Sequence, residues 1–245
     1  KFIKDDVPPT APTDSWENVA IPHTWNTKSA DTAPHPAKDP HWTSGYYRGA
    51  CWYERTLSIP IEWKGKRVFI RFEAASLVTH TYINGQLLGE HRGGFTAFCY
   101  ELTPYLKYGA ANELRVQVDN SHQDDIPPLS GDFNVDGGIY RPVHLIVTDD
   151  VCISPLNMAS PGVYLTTKSL DDNSATVEIK TLVSNGVASP ATVDIKSEIF
   201  DAAGKSVAAL TAETAVESGT TGTQVSNITF GSPHRWNGRK DPYLY

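Results

Sequence analysis

The sequence predicts an all-β chain made of two successive β-sandwiches, and three observations carry that reading. Short stretches of alternating apolar and polar residues recur along it, the period-2 signature of strands with one buried face. Gly, Pro and Asn punctuate these stretches, most sharply at Asn84-Gly85, a dipeptide that strongly favours a two-residue hairpin. No long amphipathic helical pattern interrupts them.

The first candidate strand is Cys51 to Leu57, aromatic and β-branched enough to pair. Lys66 to Glu73 follows, with Val68, Ile70 and Phe72 set against Arg67, Phe69 and Arg71. Val78 to Ile83 runs into Asn84-Gly85 and returns as Gln86 to Gly89. Thr103-Pro104-Tyr105-Leu106 suits one helical turn that Gly109 would end. Leu114, Val116 and Val118 alternate again. Gly131 to Val143 then reads as a loop turning into a strand. Asp132, Asn134 and Asp136 suit a turn, and Gly137-Gly138 permits positive φ or close approach of another segment. Beyond the pair, Ile139, Val143, Leu145 and Val147 are expected on one buried face. Residues 26 to 49 differ: Pro34, Pro36 and Pro40 break any period, and so long a loop is usually functional or wraps another domain.

Composition changes near Asp149-Asp150, which predicts a first domain over 1–150 and a second over 151–245. Five of the six tryptophans precede that point, and Thr, Ser, Val and Ala dominate after it. Alternation returns in Ala175 to Val183 and Ala191 to Phe200, and Asp201 to Lys205 makes a Gly-containing hairpin connection. About four or five candidate strands fall here against roughly seven in an immunoglobulin-type sandwich. The second sandwich is therefore expected to be incomplete at its C-terminal end.

The formal charge of −7 argues against nucleic acid and anionic membrane as partners, because both attract basic patches. No apolar run approaches the ~20 residues that span a bilayer. The N-terminal residues lack an apolar leader, as a trimmed protein also would, so the compartment stays open between a bacterial periplasmic or extracellular setting and the cytoplasm. Cys51, Cys99 and Cys152 are widely spaced and odd in number, which predicts buried reduced thiols rather than a disulfide framework or zinc site. His23, His35 and His41 match no metal-ligand spacing.

Several separated stretches, taken in order, match one pattern. They are Ile21-Pro22-His23-Thr24-Trp25-Asn26, Tyr46-Tyr47-Arg48-Gly49, Tyr82-Ile83-Asn84-Gly85, Gly94-Phe95-Thr96 and Glu101-Leu102-Thr103-Pro104-Tyr105-Leu106. Asn112-Glu113-Leu114-Arg115-Val116, Gly137-Gly138-Ile139-Tyr140-Arg141-Pro142-Val143 and Asp241-Pro242-Tyr243-Leu244-Tyr245 complete the series. The set resembles the N-terminal region of family 2 glycoside hydrolases, the family of β-galactosidases, β-glucuronidases and β-mannosidases. The resemblance implies a jelly-roll, galactose-binding-like sandwich, then a truncated immunoglobulin-like one, with the TIM barrel and its two catalytic glutamates outside this chain. No strand–helix alternation of a barrel exists here.

Retaining glycoside hydrolysis needs two carboxyl groups about 5 Å apart. The family presents its acid/base in an Asn-Glu dipeptide at a barrel strand end. Asn112-Glu113 has that composition but sits before Leu114-Arg115-Val116, where a sandwich strand begins, so no catalytic residue is assigned. The resemblance instead implies that the first domain closes one wall of a sugar pocket, with Asp132 at the wall. Asp124 or Asp125 would take a sugar hydroxyl and a cation, and Asn26 would add a polar contact. Each aspartate has a plain alternative, as a solvated acidic loop (Asp124, Asp125) or a turn-capping side chain (Asp132). Tyr46 and Tyr47 read as strand-edge core residues or as sugar-stacking rings. Arg141 reads as a structural residue pairing with a carboxylate or carbonyl under the bend.

The function implied is the non-catalytic N-terminal portion of a retaining β-glycosidase, of β-galactosidase type. Its partners would be a β-linked sugar and its own barrel, with homo-oligomerisation an open possibility. No cofactor is expected in this chain, and sodium or magnesium is expected in the full-length enzyme. The alternatives are a free-standing carbohydrate-binding module and a structural or oligomerisation module whose open sheet edges want a partner.

Overall fold

The computed structural model describes residues 1–26, 47–129 and 135–245, and the described residues are all-β. None of its helices is long and apolar enough to cross a membrane. It divides into two compact units, Lys1–Thr148 and Asp149–Tyr245.

The first unit stacks two antiparallel sheets. One contains β1 (Phe2–Ile3), β2 (Ala50–Ile59), β4 (Val78–Ile83), β5 (Gln86–Arg92) and β7 (Ala110–Asp119), in the order β1-β2-β7-β4-β5. The other contains β3 (Arg67–Phe72), β6 (Phe98–Glu101) and β8 (Val143–Thr148), in the order β6-β3-β8. Val68, Ile70, Phe72 and Phe98 from the smaller sheet meet Cys51, Tyr53, Val116 and Val118 from the larger one in a single core. The expected hairpin is present, with Asn84 at φ +50° and Gly85 at φ +81° between β4 and β5. Thr103–Tyr105 forms one 3-10 turn, and Gly109 follows at φ +70°.

Two strands depart from simple alternation. β3 is buried on both faces, Phe69 as fully as Val68. It is the central strand of its sheet, and Arg67 lies over the Phe69 ring at 5.0 Å while bonding Glu101 through Nε and Nη2 at 3.0 and 2.7 Å. β8 departs the other way. Leu145 and Val147 pair with the core residues Ile70 and Val68 and share their inward face, yet they are 38% and 37% exposed. β8 is an edge strand of its sheet.

The second unit contains β9 (Val151–Ile153), β10 (Val163–Leu170), β11 (Ser174–Asn185), β12 (Ala191–Phe200), β13 (Ser206–Val216) and β14 (Thr221–Gly231). β10, β11 and β14 form a sheet with β9 on the end of β11, while β12 and β13 pair as a hairpin. That hairpin turns through Asp201–Lys205 as expected, with Gly204 at φ +77° and Asp201 Oδ1 accepting the Ala203 and Lys205 amides. Ala175, Ile179, Val183, Val216, Ile228 and Phe230 supply its buried apolar residues. Leu165 lies opposite the buried Ile179 but is 69% exposed, so the inner face is uncovered along β10. All three cysteines are free; Cys51 is fully buried, and Cys99 and Cys152 are only partly so.

Candidate functional site

Two segments of the first unit run side by side: residues 21–26, entering the long loop, and residues 135–139, leaving the Gly-Gly bend. His23 N–H donates to Ile139 O at 2.8 Å, and Trp25 N–H donates to Gly137 O at 3.3 Å. Ser76 N–H reaches Gly138 O from the other side at 3.1 Å. Both glycines are required by this approach. A β-carbon on Gly137 would lie 2.0 Å from the Trp25 ring, and one on Gly138, at φ +127°, would lie 2.4 Å from His23 O. The close-approach reading of the pair therefore holds.

Side chains then lock the segments. Trp25 stacks on Phe2 at 6.0 Å and meets Tyr47 edge-on at 6.4 Å. His23 Nδ1 shares a 2.8 Å hydrogen bond with the Tyr53 hydroxyl, and burial holds the imidazole below its ordinary range. The fully buried Asn120, one residue past β7, accepts from Gly49 N–H at 3.0 Å and donates to Tyr47 O at 3.3 Å and Val135 O at 2.9 Å. Asn26 Nδ2 donates to the same Val135 carbonyl at 3.1 Å. Two asparagines thus bind one carbonyl where the chain enters residues 27–46 and leaves residues 130–134. Asn26 Oδ1 is buried with no hydrogen-bond partner among the described residues.

Of the acidic candidates, Asp124 and Asp125 are described, and each has its own partner. Asp125 binds Arg92 at 2.6 Å, and that hydrogen bond holds its carboxyl below the usual range. Gln123 accepts from the same guanidinium at 3.2 Å. Asp124 is fully exposed, with His122 at 3.3 Å. Asp132 lies outside the described residues, as do Tyr46, His35 and His41. Tyr47 is partly buried, donates to Ala50 O at 3.1 Å and has its hydroxyl pKa raised by burial, the behaviour of a core residue. Arg141 is exposed and lies over the Tyr140 ring at 5.7 Å instead of pairing under the bend.

Asn112 and Glu113 form no catalytic dyad. Asn112 is fully buried in β7, accepts the Lys107 amide at 2.8 Å and binds Asn84 at 2.8 Å. Glu113 is partly exposed and bonded to Arg115 at 2.9 Å. No group of three or more His, Cys, Asp or Glu among the described residues is placed to hold a metal. The structure adds Asn120 and Trp25 to the residues that shape the site. Neither stood out in the sequence: Asn120 follows Asp119 at the end of the alternating Leu114–Val118 run, and Trp25 stood only as a letter in a motif.

The description "Glycosyl hydrolases family 2, sugar binding domain" matches residues 5–149, and "Glycosyl hydrolases family 2" matches residues 161–245. A β-glucuronidase of Bacteroides fragilis is 39% identical over 93% of the chain, and a β-galactosidase of Bacteroides ovatus is 32% identical over 94%. The chain spans 31% of the first relative's length and 26% of the second's. The crystal structure of a Bacteroides uniformis β-glucuronidase superposes with a TM-score of 0.87 at 33% identity, covering 99% of this chain and 28% of that one. A calcium-binding mutant of Bacteroides uniformis β-glucuronidase 2 superposes with a TM-score of 0.86 at 33% identity, over 96% of this chain and 28% of its own.

Proposed function

Because the chain belongs to glycosyl hydrolase family 2, of which it forms the sugar-binding and immunoglobulin-like sandwiches, we propose that it is the N-terminal, non-catalytic portion of a retaining β-glycosidase. In this reading the first sandwich spans 1–150 and walls one side of the sugar pocket. The second spans 151–245 and is completed, with the catalytic barrel, by polypeptide outside this chain.

The observation that carries the pocket role is the joint hold of Asn26 and Asn120 on the Val135 carbonyl. It fixes the flanks of residues 27–46 and 130–134 beside each other, and Asp132 lies between those flanks in sequence. Buried amide clamps of this kind set loop ends without occupying the ligand. Asp132 then offers an ionised carboxylate to paired sugar hydroxyls, with Asp124 and Asp125 on the 121–128 loop as further contacts. Arg92 neutralises Asp125 and orients it, which makes the fully exposed Asp124 the freer acceptor of the two.

The sugar proposed is a β-galactoside. A carboxylate-bearing wall favours neutral hydroxyls over a second carboxylate. A β-glucuronide is the second reading, favoured by the Bacteroides fragilis relative and the Bacteroides uniformis structure. The sodium or magnesium expected for the full-length enzyme finds no ligand cluster among the described residues.

The test is Asp132→Ala in the intact enzyme. A loss of about tenfold to a hundredfold in kcat/KM with an unchanged melting temperature supports a pocket role, the size of one lost charge-assisted hydrogen bond. Unchanged activity reduces the first sandwich to a spacer.

A further inference from the structure

The loop that joins β5 to β6 holds an aromatic ring out from the first sandwich. Phe95 is 66% exposed, more than any other large apolar side chain among the described residues of that unit. Its neighbours are fixed on both sides. Gly93 N–H donates to Leu77 O at 3.0 Å, the Tyr140 hydroxyl donates to Gly94 O, and the Thr96 hydroxyl shares a 3.4 Å hydrogen bond with His91 Nε2. Gly94 packs so closely on the preceding strand entry that a β-carbon there would lie 3.0 Å from Leu77 Cδ2 and 3.2 Å from Ser76 Oγ. A loop pinned at Gly93, Gly94 and Thr96 presents Phe95 in one place, so little order remains to be imposed when a ligand binds.

The anchor of this loop is shared with the candidate site. Ser76, which touches Gly94, donates its N–H to Gly138 O in the Gly-Gly bend at 3.1 Å. Leu77, whose carbonyl holds Gly93, is buried in one apolar cluster with Val78, Ile126 and Val135. Arg92, directly before the loop, grips the 121–128 loop through Asp125 at 2.6 Å and Gln123 at 3.2 Å. The exposed ring of Phe95, the exposed carboxylate of Asp124 and the bend thus all hang from residues 76–78 and 92–94.

We propose, resting on the reading of the chain as part of a β-glycosidase, that Phe95 and Asp124 build a second sugar subsite for the pyranose ring on the leaving-group side of the bond cleaved. A pyranose carries two chemistries at once, a face of C–H bonds that packs on an aromatic ring and a rim of hydroxyls that donate to a carboxylate. Phe95 supplies the ring, and Asp124, fully exposed, supplies the acceptor. The sugar being cleaved must be shut away from water, whereas a ring as open as Phe95 suits the outer position, where the leaving sugar lies. Phe95 has no polar atom, so it contributes contact area and not hydroxyl-by-hydroxyl recognition. The subsite therefore sets a preference for longer substrates and leaves the identity of the cleaved sugar to other residues.

The test uses the intact enzyme and two substrates of the sugar it prefers, galactose or glucuronic acid. One is the β-glycosyl fluoride, whose leaving group has no ring; the other is a β-linked trisaccharide ending in that sugar. Phe95→Ala is expected to lower the ratio of kcat/KM on the trisaccharide to that on the fluoride by about tenfold, through KM, and Phe95→Tyr to restore it. An unchanged ratio overturns the subsite while leaving the β-glycosidase reading intact. So does an equal loss on both substrates, which a lowered melting temperature would assign to packing against the rest of the enzyme. Wild-type enzyme inert on the substrates of both sugars would instead overturn the reading on which the subsite rests.

Discussion

The indole of Trp25 fills the space that any side chain at position 137 would need, since a β-carbon there would lie 2.0 Å from the ring. The Gly-Gly bend is thus a packing requirement of the opposite segment as well as a turn. Gly137→Ala is expected to cost about 1–3 kcal/mol, the usual penalty of overpacking. Trp25→Ala made together with it should recover part of that loss. Thermal or chemical denaturation of the two single variants and the double variant checks this, and simple additivity would contradict the contact.

Asn120→Ala should be the more damaging of the two asparagine truncations. It leaves the Gly49 amide and the Tyr47 carbonyl without their partner and takes one of two donors from Val135 O. A cost of about 1–3 kcal/mol is expected. Asn26→Ala should cost less, because Asn120 still holds that carbonyl. Urea denaturation ranks the two, and the reverse order would contradict the assigned roles.

Stability should fall as the pH drops below the ordinary histidine value. Burial lowers the pKa of His23, opposed by Glu17, and burial lowers that of His91, opposed by its hydrogen bond with the Gly93 backbone. A value depressed in the folded state means stability that is complete above the unfolded value, 6.5, and is lost as pH falls through the folded one. Melting temperatures should therefore hold steady above about pH 7 and decline toward about pH 5, and His23→Gln should flatten that slope. A flat profile across the range would contradict the burial argument.

The hairpin at Asn84-Gly85, the turn at Thr103–Tyr105 and the Asp201–Lys205 connection were legible because each depends on local backbone chemistry. The β8 face was misjudged because the period-2 rule says which side chains point inward, not whether anything covers them. Leu145 points inward at an open edge. Phe69 was set against the buried residues for a related reason: alternation describes a one-sided sheet, and Arg67 with Glu101 closes the other side of β3. At the site, Asn26 drew attention through its motif. Asn120 did not, since its role rests on groups 15 to 73 residues away in sequence. No sequence pattern records such a pairing.

The two candidate substrates separate by charge. The intact enzyme is expected to show a higher kcat/KM on a chromogenic β-galactoside than on the matching β-glucuronide. Asp124→Asn should narrow that ratio if the exposed carboxylate faces the pocket. A preference for the glucuronide would replace the proposed sugar while leaving the non-catalytic role intact.

The most direct measurement is hydrolysis of those two chromogenic glycosides by the 245-residue chain alone, set beside the full-length enzyme. The expected result is turnover by the full-length enzyme and none by the isolated chain. Turnover by the isolated chain that Glu113→Gln abolishes would contradict the account, for it would place the reacting carboxylate on β7.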